Sequence, residues 1–582
     1  MKQYDNIRAH KPENIENKKF HIVGGGIAGL ASAVFLIDDC YVKGENVTIY
    51  EKLPKVGGSM DGDKNEHGYL CRGERELEPY MECLWYLFNK IPSLDTPGRT
   101  VTEETVEANK EDPIFAHSRV LYEKGKVYEK IHDFSMSKKL QDKMINLIAT
   151  PEEKFEDMTI DDYFEDTKEE FYKSSMWICF HSMLAFKNYH SVIEMKRYLI
   201  RFIQHLPGQE HLRGIIHTKY NEYDSMIKPM KKWLEDKGIT IINDISIKDF
   251  EMSEDNNTVI GLIGVKDGEQ KLIKLDENDN VILTNGSMTT NSSFGDNTHI
   301  AETNRDTQDK GVFTIWENLA KKDSKFGHPE KFDTNIDKTK WMSIFLTVKD
   351  YPRFFQRICD KYGYKMNTTT GAITILDSSW DISFVLYPKY YSEQKENENI
   401  MWFDTLYGEK DGDYIKKPSS ECTGEEILTE FLYHLDMLDM KDELLEHTYI
   451  STCMMPYITS QFMPRKIEDR PHIIPDGCTN LALIGQFVEL PGDVVFTVET
   501  SIRTAMMAAY GLTKVDRPVV PLYEAQYDLR ILVMCMRKML AKDNISFEDL
   551  PKINPLTIKK DLEGMLDFIN SMPEIKDEDI IY

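Results

Sequence analysis

Several things are scarce in this chain. There is no Cys-x-x-Cys pair: the nine cysteines are scattered from Cys40 to Cys535. That argues against a disulfide framework or a zinc cluster, and it suits a reducing cytosol with no structural metal. Positive charge is also in deficit, with 71 Lys+Arg against 98 Asp+Glu and a formal net charge of −27. Such a surface repels phosphate backbones, which excludes a nucleic-acid partner. It draws weakly on anionic bilayers, so membrane contact is at most transient and peripheral. No apolar stretch reaches a spanning length. Met1–Phe20 is polar and charged and does not read as a secretory leader, so a cytoplasmic location is expected. Internal repeats and low-complexity tracts are missing as well.

Core material is plentiful. The chain has 582 residues, 41% of them apolar, with 27 Phe, 29 Tyr and 7 Trp. Length alone predicts roughly two to four domains. KFHIV reads as a buried strand, GGGIAG as a turn, LASAVFLI as a helix and VTIYE as a second strand. This is a β-α-β unit around GxGxxG, closed by an acid, Glu51, at the end of the second strand. Gly24 serves the tight turn, Gly26 the approach of a pyrophosphate, and Gly29 the packing of helix on strand. Ala28 lies in the first helical turn, where free N–H groups and the helix dipole favour phosphate. Glu51 can accept ribose hydroxyls. Gly57-Gly58 soon after it, with Ser59 following, is typical of FAD proteins of the glutathione-reductase type. A second GxGxxG is absent, so reducing electrons must come from outside. Further cofactor contacts are expected at Ile245, at Thr284 and Ser287 where a buried strand ends, and at Thr500 and Ser501 in the helix after the late strand NLALIG.

Helical spacing marks 80–95, 137–150 and 191–206. WMSIFLTV, GAITILD and DISFVLYP alternate like strands of a larger antiparallel sheet. Residues 290–312 read as loop, and the chain beyond Pro518 and Pro521 as helical. One stretch is less easily placed. YLCRGERELEPYME packs Arg72, Glu74, Arg75, Glu76 and Glu78 into seven positions ahead of an aromatic run. It is either a solvated loop of local ion pairs or a catalytic loop.

The strings KPENIENKKFHIVGGGIAGLASAVFLI, EKLPKVGGSMDG, RGERELEPYMECLWYLF, EMKRYLIRF, TKYNEY, LTNGSMTTNSSFGDN, GDYIKKP, MPYITSQFMPR and IGQFVELPGDVVFTVETSIRTA are spread along the chain from residue 11 to residue 505. In them it resembles the oleate hydratases, FAD-containing fatty acid hydratases once called myosin-cross-reactive antigens. The resemblance implies a hydro-lyase that adds water to a cis double bond of a long-chain unsaturated fatty acid such as oleate. It also implies FAD dependence without net redox, and a homodimer. It gives Glu76 the role of holding and deprotonating water and Tyr198 that of protonating the alkene, with Arg197 or Arg201 available to lower the phenol's pKa. Arg72 and Arg75 would hold the flavin or fix Glu76, and Gly73 would let the loop swing.

The fold this implies is α/β: a Rossmann-like FAD-binding domain of glutathione-reductase type (18–90, 212–300 and 476–512), a helical insert over the substrate site (130–210), a β-rich substrate domain (301–475) and C-terminal helices (518–582). The sequence departs from the family in four places. One is the C-terminal tail: it ends in the acidic EIKDEDIIY where family members often carry a basic amphipathic end, and Lys552, Lys559 and Lys560 form only a modest basic cluster, read as a solvated helix face. Glu74 replaces a usual Gly, which should stiffen the loop and add a like charge near Glu76. Glu222 replaces a Gln, and Val385, Tyr387 and Tyr391 replace polar groups, all at the carboxylate site that the resemblance implies. A fatty-acid carboxylate would meet Glu222 unfavourably unless one partner is protonated or Lys389 compensates. Two rival readings follow: a flavin-dependent lipid double-bond isomerase or desaturase, and a non-catalytic FAD-bound lipid-binding protein.

Overall fold

A computed structural model describes residues 4, 7, 9–73 and 75–540 of the chain. The effect of Glu74, the lysines at 552, 559 and 560 and the acidic end all lie outside the described residues.

The nucleotide-type unit is a five-stranded, all-parallel sheet. Its spatial order is Leu481–Ile484, Asp279–Thr284, Lys19–Val23, Val47–Tyr50, Thr240–Ile242. Central strands of such a sheet are covered on both faces and must be apolar throughout. Accordingly Phe20, Ile22, Ile282, Leu283 and all of Leu481–Ile484 are fully buried. The helix Ile27–Asp38 crosses between the first two strands and packs against Val498–Thr513, the helix that follows the last one. Gly24, Glu51, Thr284 and Gly485 all stand at or just past the carboxyl ends of strands, where open parallel sheets place their ligands. A small antiparallel sheet, Ile245–Met252, Val259–Lys266 and Glu269–Lys274, branches from this unit.

The second body is an eight-stranded mixed sheet. Trp341–Lys349 lies near its centre, antiparallel to both Glu398–Thr405 and Thr448–Met455. Ile373–Ile375 and Ile382–Leu386 continue it. It extends past the 301–475 stretch read from sequence. Ser293–Gly295 joins one edge, within residues expected to be loop, and Val120–Tyr122 with Lys126–Val127 forms the other. Between the two bodies in sequence come the helices Lys138–Ala149, Ser175–Leu184 and Val192–Arg201. After Phe202 (φ −111°, ψ 19°) the last of these gives way to a 3₁₀ segment, Ile203–His211, which carries Pro207. The C-terminal helix Leu529–Leu540 docks there: the Cys535 thiol donates to the Ile203 carbonyl at 3.3 Å and Lys538 to Pro207 at 2.8 Å.

Candidate active site

Two cavities meet beneath the charged loop. The larger, of about 780 Å³, lies along the carboxyl edge of the parallel sheet. Gly24, Gly26, Ala28 and Glu51 line it, as do Gly58, Ser59 and Arg72 from the following turn and loop. Ile245, Thr284, Ser287 and Ser501 complete the predicted set on its walls. Gly29 acts from behind: a Cβ there would stand 2.0 Å from the Gly24 carbonyl oxygen. Thr500 does not reach the cavity, because its hydroxyl donates to the Val494 carbonyl. Arg75 and Glu76 line the neighbouring cavity instead.

The larger cavity fits a dinucleotide on its own chemistry. Gly58 touches Gly26 so closely that a Cβ on Gly58 would come within 2.9 Å of the Gly26 Cα, which leaves bare backbone as the floor. The Ile27–Asp38 helix has no side-chain cap, so its first N–H groups are free for phosphate oxygens. Glu51 accepts from Gly25 N–H at 2.7 Å and Leu53 N–H at 2.8 Å. Burial nonetheless pushes its carboxyl above the usual range, against those bonds and Arg72. The buried Thr284 hydroxyl and the Gln486 side-chain oxygen have no protein partner.

The second cavity, about 170 Å³, shares Ser59, Arg72, Met288, Gln486 and Ser501 with the first. The described side chains of the charged loop are anchored to the protein. Arg72 reaches the Gly58 carbonyl and, at 3.0 Å, Asp61; Arg75 donates to the Ser59 carbonyl at 2.9 Å. Both arginines therefore pin the loop to the Gly57-Gly58 turn. Gly73 is buried at φ +150°, and a Cβ there would press on the Arg75 guanidinium at 2.9 Å, so this glycine fixes one particular bend. Leu77 exchanges both backbone hydrogen bonds with Ile216, at 2.8 and 2.9 Å, and its side chain is buried. Extended backbone alternates its faces, and Glu76 and Glu78, either side of Leu77, both line the cavity.

Glu76 is half-buried and lines this cavity. Burial raises its carboxyl above the usual range, while Arg119, the Ala372 N–H and His217 pull the other way. One carboxylate oxygen has no protein partner, and so remains able to grip a water. Tyr198, wholly buried, lines the same cavity. Its hydroxyl donates to the Val495 carbonyl. The expectation that Arg197 or Arg201 acidifies it does not hold. Arg197 is bound to Glu152 and, at 2.6 Å, Glu489; Arg201 is bound to Asp493, Glu82 and the Tyr80 carbonyl. Burial, Glu194 and Asp493 push the phenol well above its usual pKa, opposed only by Arg470. The phenol is thus held in its protonated form.

Sequence reasoning missed His205, Glu78 and Arg119. The His205 Nε2 stands 3.1 Å from Glu78, and both side chains line the cavity with Glu76 and Tyr198. Burial works against the Glu78 charge, but His205 and Arg201 hold its carboxyl below the usual range. Two signals were present: Glu78 lies one strand period after Glu76, and His205 lies two helical turns after Tyr198.

A third cavity, about 260 Å³, borders this one and shares Met183, Leu184, Tyr198, Phe202 and His205 with it. Its other walls are overwhelmingly apolar, among them Met144, Phe180, Leu199 and, from the C-terminal helix, Met536 and Met539.

None of the residues expected at the carboxylate site lines these three cavities. Val385, Tyr387 and Tyr391 are core residues packed with Tyr69, Tyr390 and Trp402. Tyr391 stacks on Tyr69 at 4.2 Å and donates to the Leu70 carbonyl at 2.9 Å; Tyr387 stacks on Tyr390 at 4.1 Å. Aromatic side chains of this size close the space that smaller polar ones would leave open. Glu222 is buried, and burial lifts its carboxyl to about 7, with Arg75 opposing and Asp61 adding to the rise. The cation that faces it is therefore Arg75; Lys389 lies over the Tyr220 ring at 5.7 Å. Two groups of metal-capable side chains, His132/Glu210/His211 and Asp413/Glu430/His434, lie outside the three cavities.

The profile of the MCRA family matches residues 17–510. The chain belongs to the MCRA family. It is similar to an oleate hydratase of Streptococcus pyogenes serotype M49 (strain NZ131), 39% identical over 555 residues that span 93% of each protein. It is 28% identical to a linoleate hydratase of Lactiplantibacillus plantarum over 564 residues, 89% of this chain and 98% of that one. Among solved structures, a cyclohexylamine oxidase from Brevibacterium oxydans aligns with 85% of this MCRA-family chain and 99% of its own, at 12% identity and a TM-score of 0.49. An oxidoreductase from Methanosarcina mazei aligns at 14% identity and a TM-score of 0.47, over 84% and 99%.

Proposed function

We propose that this chain is an FAD-dependent hydratase of long-chain unsaturated fatty acids, adding water across a cis double bond to give a hydroxy fatty acid with no net redox change. One observation carries the reading. A carboxyl, Glu76, and a phenol, Tyr198, line a single cavity that borders both a dinucleotide cradle and an apolar cavity suited to an acyl chain. The oleate and linoleate hydratases among the relatives support it.

An isolated alkene is unpolarised, so hydration needs an acid and a base held in place about it. Tyr198 gives its proton to one alkene carbon. Positive charge grows on the other carbon, water oxygen bonds there, and Glu76 takes the proton that water releases. The Glu78–His205 pair, on the wall of the same cavity, offers a route for that proton back to the phenoxide. The raised phenol pKa keeps Tyr198 protonated but makes it a weaker acid, so the transfer depends on stabilisation of the cationic charge that develops. Gly24, Gly26, Glu51, Gly58, Thr284 and Ser287 would hold FAD, which when bound and reduced would supply an electron-rich ring system able to stabilise developing positive charge. Arg72 and Arg75 tie the Glu76 loop to the cofactor turn. Among the described residues no helix is long and apolar enough to cross a membrane. A cytoplasmic homodimer that meets membranes only transiently belongs to the same reading.

A second reading, a lipid-binding flavoprotein without turnover, is favoured by the aromatic packing around Val385, Tyr387 and Tyr391. Incubation of the protein with reduced FAD and oleate, linoleate or palmitoleate, followed by mass analysis, separates the two. Hydration gives a product heavier by one water; bound but unchanged lipid would favour the carrier.

A further inference from the structure

One wall of the active-site cavity is out of keeping with an acyl-chain pocket. Ser182, Asp381, Ser383 and Asp404 line it. Ser182, Ser383 and Asp404 belong to a continuous hydrogen-bonded chain, and Asp381 stands outside it. Arg119 donates to Ser182 at 2.8 Å and to Thr374 at 2.9 Å; Thr374 and Ser383 share a hydrogen bond of 2.8 Å; the Ser383 N–H donates to Asp404 at 3.0 Å. The same Arg119 acts electrostatically on Glu76. Around this chain several buried polar atoms find no protein hydrogen-bond partner: Asp381 Oδ2 and His181 Nδ1, which stand 3.5 Å apart, Arg119 Nε, and the Nζ of the fully buried Lys187. Lys187 feels Asp381, and Asp404 feels Lys187. Burial also drives the Asp404 carboxyl well above its usual range, so it can donate as well as accept.

Buried polar atoms are paired in folded proteins, and those without a protein partner take ordered water. A hydratase has a second substrate, water, and an acyl chain lying in the third cavity would close that side to it.

We propose that the Ser182–Ser383–Asp404–Asp381 wall is a water-holding branch of the active-site cavity that supplies the water consumed at Glu76. The inference rests on the hydratase reading. Protonation of the alkene by Tyr198 leaves an electron-deficient carbon with two fates. If water is at hand, its oxygen bonds there and its proton passes to Glu76. If not, a neighbouring carbon loses a proton to Glu76 or to the Tyr198 phenoxide, and the double bond returns in a new position or geometry with no change of mass. The ratio of hydrate to isomer therefore reads the supply of water.

The test uses the full-length protein loaded with reduced FAD, oleate as substrate, and the variants Asp404→Leu and Ser383→Val. Drying the branch is expected to lower kcat for hydration about ten-fold, leave KM for oleate unchanged, and raise the isomer fraction by a similar factor. Asp404→Asn, which still hydrogen-bonds, is expected to recover most of the lost hydration. Should Asp404→Leu fail to fold, Ser383→Val and Asp404→Asn decide. A wild-type hydrate-to-isomer ratio in both apolar variants overturns the proposal while leaving the hydratase reading intact. If the wild-type protein adds no water at all, the hydratase reading fails. The branch itself is then judged by crystallography: ordered waters on Asp381, His181 and Asp404 sustain it as a water site, and their absence at high resolution refutes it.

Discussion

Replacing Glu222 by Gln should make the protein more stable at alkaline pH than at acid pH, relative to the wild type. Glu222 is buried, and its carboxyl is raised from 4.5 to about 7, chiefly because burial penalises the charge. A raised acid holds more protons in the folded chain than in the unfolded one between those two values. Stability therefore falls as pH rises from about 4.5 to about 7 and levels off above. Full ionisation costs about 3 kcal/mol, at 1.36 kcal/mol per pKa unit. Gln keeps the shape and removes the charge. Between pH 5 and pH 8 the advantage of Glu222→Gln over wild type should grow by about 2–3 kcal/mol. For a chain of this length that is a difference in Tm of only about 2 °C. Parallel calorimetric scans of the two proteins at both pH values, with flavin matched, measure it. A Tm difference that stays flat from pH 5 to 8, or shrinks, would show that Arg75 keeps Glu222 ionised throughout and that burial is not the dominant influence.

Glu76→Gln and Tyr198→Phe should each lower kcat by about 10²–10⁴-fold, the usual worth of a positioned acid or base. Flavin absorbance and oleate KM should stay near wild type; equal loss of flavin would mean that Glu76 serves the cofactor and not the water. Replacing His205 by Phe removes the partner of Glu78 without emptying the cavity. kcat should then drop about ten-fold or more, whereas an unaltered kcat would remove the pair from the proton path. Gly29→Ala places a methyl carbon 2.0 Å from the Gly24 carbonyl. The helix must shift to relieve it, so flavin affinity should collapse, which flavin fluorescence on titration would register. Normal binding would mean that the turn is softer than its geometry implies.

Much of the nucleotide half was legible in the sequence because its chemistry is local. GxGxxG between a strand and a helix, with Glu51 closing the next strand, needs only the constraints of a tight turn and a helix N-terminus. Buried parallel strands such as NVILT and LALI announce themselves as unbroken apolar runs. The resemblance named Glu76 and Tyr198, and spacing on its own could not have done so. The charged loop is the instructive failure. Its composition suits solvent equally well, and only the anchoring of Arg72 and Arg75 on the Gly57-Gly58 turn, with Leu77 bridged to Ile216, shows Arg72, Arg75, Glu76 and Glu78 turned toward the cavities.

Tertiary structure alone decided the rest, since each of these features joins residues remote in sequence. Val385, Tyr387 and Tyr391 were aligned to a carboxylate site by position, yet they are packed as core because Tyr69 and Trp402 arrive from other strands to stack and press on them. The arginines beside Tyr198 looked free to acidify it until Glu152, Glu489 and Asp493 claimed them. Electrostatics and packing depend on distance through space, and a sequence records distance only along the chain.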